Sequence, residues 1–227
     1  MIVNAKPQVE NERTSTVECV ALDKRGKILL VHEKSKKNKL GFGKPSGWGL
    51  PGRGIESDRT FEGLVRDIVT YSYFKENKVT IDDINKVFAV KRPFNPFTGE
   101  PVDNLSFLTA IKELLEETGF LGIPALVLFT EMLPSNPKHR IIGIYMEIIA
   151  GELKKKSAET DDCRWFYPTA LPKVEGNREL SLYRSHESRI ATALSVLGRD
   201  SRIGYVTDVF NPASQPLSQE RRIAHAG

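Results

Sequence analysis

Apolar residues recur at helical spacing through Leu108-Thr-Ala-Ile-Lys-Glu-Leu-Leu-Glu-Glu-Thr-Gly-Phe120. Leu108, Ile111 and Leu115 fall on one face, with Leu114 at its edge, and predict a helix over 108–118. A second helical stripe, Phe61, Leu64, Val65 and Ile68, predicts a helix near 61–68. A third, Ile190, Leu194 and Leu197, predicts a helix over 185–197 stopped by Gly198. Elsewhere the pattern is that of strands. Thr16 to Leu22 and Lys27 to Glu33 read as a hairpin turned by Asp23-Lys-Arg-Gly26. Ala125 to Leu133 and Ile141 to Leu153 read as strands around a loop at Pro134 to Arg140, and Cys163 begins another that runs into a turn ending at Pro172. Lys86 to Lys91 reads as a short strand, and Pro93 to Pro101 as a turn-rich return.

The polar positions on the 108–118 helix change the picture. Glu113, Glu116 and Glu117 gather opposite the apolar face at i, i+3 and i+4, where like charges repel and weaken a helix. Lys112 relieves part of this. Such a triplet suits a hard divalent cation with oxygen ligands. It also suits a solvated acidic face, and the helix alone leaves both readings open. Trp48-Gly-Leu-Pro-Gly-Arg-Gly-Ile-Glu56 adds a glycine-rich loop of the kind that brings backbone close to a ligand.

Together the loop and the helix resemble the two halves of the Nudix box. Lys112-Glu-Leu-Leu-Glu-Glu-Thr-Gly-Phe120 matches R-E-U-x-E-E-x-G-U, where U is an apolar residue, with Lys for Arg and an aromatic last position. Gly49-Leu-Pro-Gly-Arg-Gly-Ile-Glu56 matches the approach G-L-P-G-G-x-V-E. In the family the halves are contiguous. Here an insertion of about 45 residues parts them, long for a loop without structure of its own. Arg59 to Tyr71 follows the loop where the family helix stands, and Arg66-Asp67 imitates its R-E, but the later acids are missing. The later helix is therefore the expected partner of the loop.

The resemblance implies an α/β fold, a Nudix-like α/β/α sandwich with a mixed sheet and an inserted subdomain. Its implied bounds are an N-terminal arm over 1–15, a hydrolase domain over 16–200 with 58–103 inserted, and a C-terminal tail over 201–227. It implies Mg²⁺ or Mn²⁺ and cleavage of a pyrophosphate bond in a nucleoside diphosphate derivative, that is, a nucleotide-derived small-molecule substrate. Glu113, Glu116 and Glu117 would carry catalysis and, with the carbonyl of Gly52 and with Glu159, hold the metal; Arg53, Glu56 and Lys112 would support the loop and the substrate. Lys112 departs from Arg, a point charge for a planar fork, and Arg53 departs from Gly. Glu159 reads equally well as an ordinary loop acid. Pro134 and Pro137 lie near a position that marks ADP-ribose hydrolases but out of register, and no marker for NADH, coenzyme A or diadenosine polyphosphates is found. A binding or regulatory module of the same fold, with little turnover, is the competing reading.

Composition narrows the class without choosing a substrate. With 227 residues, 40% hydrophobic and 27% charged, the chain holds enough apolar residues for a sizeable core. Its net charge of +4 is mild. The basic loop from Lys34 to Lys44 reads first as a solvated loop and second as a phosphate-facing rim. No aromatic-interleaved basic stripe points to dedicated nucleic-acid binding. Cys19 and Cys163 lack metal or redox spacing and are expected to pack as small apolar groups. With no secretory apolar segment and no span of membrane length, the expected setting is cytoplasmic, and an oligomer is compatible with the sequence. The insertion's aromatics, Tyr71, Tyr73, Phe74, Phe94 and Phe97, are expected to form a small core of their own or to stack on a base.

Overall fold

The computed structural model describes residues 15–34, 36–37, 43–44, 46–55, 58–72, 78–133, 136–173 and 182–199. The expected arm before Ser15, the tail after residue 200, Glu56, Tyr73, Phe74 and Pro134 lie outside them. In chain order the elements are β1 (Ser15–Val20), β2 (Ile28–Glu33), β3 (Lys36–Lys37), β4 (Gly43–Lys44), β5 (Gly47–Gly49), β6 (Gly52–Ile55), α1 (Phe61–Ser72), α2 (Ile81–Ala89), β7 (Phe94–Asn95), β8 (Glu100–Pro101), α3 (Asn104–Thr118), β9 (Phe120–Leu133), β10 (Asn136–Gly151), β11 (Thr160–Phe166) and α4 (Arg184–Arg199).

The central strands form a mixed sheet of order β6-β1-β10-β9 and a smaller antiparallel sheet of order β11-β2-β5. The parallel pair is β1 with β10, Ser15 beside Arg140 through Val20 beside Tyr145. Strand alternation sends side chains to two opposite cores. Val17, Cys19, Leu29 and Val31 pack against Leu108, Ile111, Leu114 and Leu115 of α3. Val20, Ile28 and Leu30 pack against Ile190, Ala193 and Leu197 of α4 on the other side. The result is the expected three-layer α/β/α sandwich.

α3 starts where Asp103 accepts the Ser106 amide at 2.8 Å and ends at Gly119, whose φ of 79° makes the left-handed cap and whose N–H donates to Leu115. The amphipathic expectation for it needs correction. Every residue from Ser106 to Thr118 is buried, the three glutamates included. The reason is that α3 is covered on more than one side, by β1, β6 and β9 and by the segment between the two half-motifs. α1 lies along α3, and Leu64, Ile68, Ile84, Val87 and Val102 join the same core as Leu108 and Ile111.

That packing also corrects the reading of the aromatics. Phe94 is 58% exposed and Phe97 57%, so they build no private core; the segment buries its aliphatic residues against α3 instead. Lys86 to Lys91 is no strand, since α2 runs from Ile81 to Ala89. Thr80 and Asp83 cap its start reciprocally in a capping box. The Pro93 to Pro101 return is the small β7–β8 hairpin. Loop residues expected before Ile141 are instead the first part of β10 from Asn136 onward, and α4 continues through Gly198 to Arg199. Among the described residues no helix is long and apolar enough to cross a membrane.

Candidate functional site

The two half-motifs meet. The N–H of Gly52 donates to Glu117 Oε2 at 3.0 Å across 65 positions of sequence. Only glycine permits the approach, since a Cβ at Gly52 would stand 2.1 Å from the carbonyl oxygen of Val17. It is therefore α3, rather than α1, whose acid reaches the loop. The Arg66-Asp67 imitation is occupied elsewhere, with Asp67 paired to Arg59 at 3.2 Å.

Glu117 is 4% exposed. Burial raises its carboxyl well above the ordinary glutamate range, Glu113 and Glu33 push it further, the Gly52 amide opposes them, and Glu159 adds to the rise. Burial likewise raises Glu113, and Lys112 offsets part of that. The Lys112 ammonium lies 3.0 Å from Glu113 Oε1 and binds Glu116 Oε2 as well. Burial pulls Lys112 down, but the two glutamates outweigh it and hold its pKa above the usual lysine value. Arg53 pairs with Glu159 at 3.3 Å. Thus Gly52, Arg53, Lys112, Glu113, Glu116, Glu117 and Glu159 belong to one neighbourhood. Cys19 and Cys163 line its floor as buried thiols, as expected; burial raises both, and Glu117 adds to each.

Glu33 was not singled out in the sequence. The signal was available: it shares strand parity with Leu29 and Val31, whose side chains face α3. A hard divalent cation fits this neighbourhood in kind, because the donors are oxygens and the negative charges outnumber what Lys112 and Arg53 neutralise. Among the described residues, however, no three His, Cys, Asp or Glu side chains converge as a finished metal cage. Glu113 and Glu116 are drawn onto the Lys112 ammonium instead.

A cavity of about 770 Å³ opens on the opposite face of β2, lined among others by His32, Lys34, Trp48, Lys156, Asp161 and Arg164. His32 Nδ1 lies 2.5 Å from Asp161 Oδ1. The Arg164 guanidinium stands 5.6 Å from the centre of the Trp48 ring. Lys34 donates through Nζ to the Ser157 carbonyl at 2.9 Å, and its amide donates to the Glu159 carbonyl. The cavity and the carboxylates therefore meet at the end of β2, where His32 and Glu33 point to opposite faces. Of the basic loop, Lys34 alone has a described side chain, and it is committed to backbone.

Several solved structures are similar to the chain. An ADP-ribose pyrophosphatase from Streptococcus suis shares 17% identity over 83% of this chain and 94% of its own, at a TM-score of 0.47. A Nudix hydrolase from Nitrosomonas europaea shares 13% over 81% and 90%, at 0.44. The Nudix domain of Shewanella oneidensis NrtR complexed with ADP ribose shares 17% over 86% and 94%, at 0.40. No protein-family model matches the sequence, and no curated protein matches it.

Proposed function

We propose that the protein is a Nudix-type hydrolase that cleaves a pyrophosphate bond in a nucleoside diphosphate linked to another moiety, with Mg²⁺ or Mn²⁺ as cofactor. The observation that carries this is the Gly52 amide bonded to Glu117, which unites a split motif around a buried, like-charged carboxylate set. Glu113, Glu116 and Glu117, with Glu159 and the Gly52 carbonyl, would hold the cation. When bound, the cation neutralises phosphoryl oxygens and polarises phosphorus for attack by water.

The chain's own groups do the rest. Arg53 beside Glu159 offers positive charge to a phosphate at the rim. Lys112 keeps Glu113 and Glu116 in fixed rotamers on α3. The Gly52 amide orients Glu117. The Trp48 cavity, with Arg164 over its ring, has the flat apolar surface and cationic rim that suit a nucleoside or its linked sugar. Triphosphates, nucleotide sugars and ADP-ribose all meet that description. The domain bounds implied by the resemblance, 16–200 with 58–103 inserted, and a cytoplasmic setting belong to this reading.

Hydrolysis of a panel of such nucleotides with Mg²⁺ or Mn²⁺, run beside Glu117→Gln, tests it. Activity is expected in the wild type and a loss of about 100-fold or more in the variant, since the charge acts in the transition state. Equal turnover in the two proteins refutes the site. A second reading has one observation in its favour: Lys112 occupies the position between Glu113 and Glu116. A binding or regulatory module would hold the cation and the nucleotide in titration calorimetry and release no product across the panel.

A further inference from the structure

The glycine loop is held from two sides, and the second hold comes from the C-terminal helix. On the α3 side, Gly52 donates to Glu117. On the far side, the Leu50 amide donates to His186 Nδ1 at 2.9 Å in a buried bond. His186 stands in the first turn of α4, 136 positions from Leu50.

This contact is a built one. The Leu50 bond makes Nδ1 the acceptor, so the ring proton sits on Nε2, which faces Glu18 Oε1 at 3.7 Å. Glu18 is in turn fixed by Arg189 Nη1 at 2.5 Å, one turn along α4 from His186. Arg189 also reaches Glu131 of β9 through Nε at 3.0 Å. Glu18 is the residue of β1 opposite Gly52 in the antiparallel ladder, and the Cys19 N–H donates to the loop's Pro51 carbonyl at 2.7 Å. The fit is close, since a Cβ on Gly49 would stand 3.1 Å from the His186 ring. Tyr183 N–H donates to the Trp48 carbonyl at 2.9 Å and ties the same helix entry to the loop's first residue.

We infer that His186 is a positioning residue for the candidate site: from α4 it fixes the Leu50 amide, and through it the Leu50–Gly52 turn, so that the Gly52 amide stays on Glu117. His186 acts without touching substrate. The inference deepens the proposed function and rests on it for its catalytic consequence, but not for its geometric one. A structural role alone would let any side chain of similar bulk serve; a positioning role requires an acceptor at the Nδ1 position.

Three variants separate these. His186→Asn places an amide oxygen close to Nδ1, His186→Gln places one closer to Nε2, and His186→Leu supplies none. Hydrogen exchange at the Leu50 and Gly52 amides is read by NMR in each, beside steady-state kinetics and the thermal midpoint. Exchange at both amides is expected to speed by about tenfold or more in the Leu and Gln variants, as for loss of one buried bond, and to return toward wild type in Asn. With a nucleotide that the wild type hydrolyses, kcat is expected to fall about 10- to 100-fold in Leu and Gln, with KM within about twofold, because misplacement acts in the transition state. Gly52 exchange that follows the thermal midpoint alone, or an Asn variant no better than Gln, overturns the inference. If the wild type hydrolyses nothing, the hydrolase reading fails, while the exchange data still decide whether His186 holds the loop.

Discussion

At the scale of single residues, Glu117 behaves unlike a surface carboxylate. Its pKa is raised in the fold by burial and by Glu113 and Glu33. A group raised in the folded state contributes stability that is fully present below its unfolded value, about 4.3, and lost as pH climbs through the folded one. Without a divalent cation, Glu117→Gln should therefore raise the thermal midpoint at pH 7.5 by about 2–4 °C for each kcal/mol relieved. The gain should shrink toward pH 4.5. Gln keeps an oxygen for the Gly52 amide, so the comparison isolates charge. Adding Mg²⁺ should stabilise the wild type more than the variant, by mass action on a site the variant holds poorly. Melting curves at several pH values, with and without Mg²⁺, check both signs. A larger gain at pH 4.5 than at pH 7.5 would contradict the burial argument.

At the scale of elements, what was legible followed from local chemistry. The Leu108, Ile111 and Leu115 stripe marked α3, and Ile28 to Val31 marked β2, because an apolar side chain reports its burial directly. α2 was misread although Thr80-Ile-Asp-Asp83 carries its start: a capping box is a weaker signal than a run of Val, Phe, Ala and Val, which also suits a strand. Thr80→Ala removes that cap. It should lower stability by about 1 kcal/mol and leave the proposed nucleotide hydrolysis within about twofold, since Thr80 is exposed and, among the described residues, bonds only within its own cap of α2. Denaturant titration beside a turnover assay would show it. Most of the candidate neighbourhood was readable for a similar reason. Glu113, Glu116, Glu117 and Gly52 lie in contiguous patterns, whereas Glu33 and His186 come from distant strands and helices, and only tertiary pairing brings them in.

On the scale of the whole molecule, the segment between the half-motifs is structural. A detachable cap would leave α3 intact when removed. Here α1 and α2 supply Leu64, Ile68, Ile84 and Val87 to the core that α3 shares with β1 and β2. Replacing residues 60–101 by a short linker should therefore give a protein that fails to fold, instead of one with altered substrate affinity alone. Leu64→Ala is the milder test, and should cost about 2–5 kcal/mol by the usual cavity effect. A folded excision protein with an unchanged thermal midpoint would show that the segment is detachable after all. The segment's outer surface is a different matter, since Phe61, Phe88, Phe94 and Phe97 remain exposed there.

The position of β1 has a consequence for how this chain is made. Its parallel neighbour is β10, and Thr16 Oγ1 meets His139 Nε2 at 2.9 Å over a separation of 123 residues. During synthesis from the N-terminus, β1 can pair with β6 early but has no β10 until more than half of the chain has emerged. One long edge of a strand rich in apolar residues must wait, and closing so large a loop slows the ordering of the sheet. The candidate site has both half-motifs inside that loop and Glu159 beyond it, so it is completed only after the loop closes, and a chain stalled midway in synthesis would expose sticky β-structure before it possessed any chemistry.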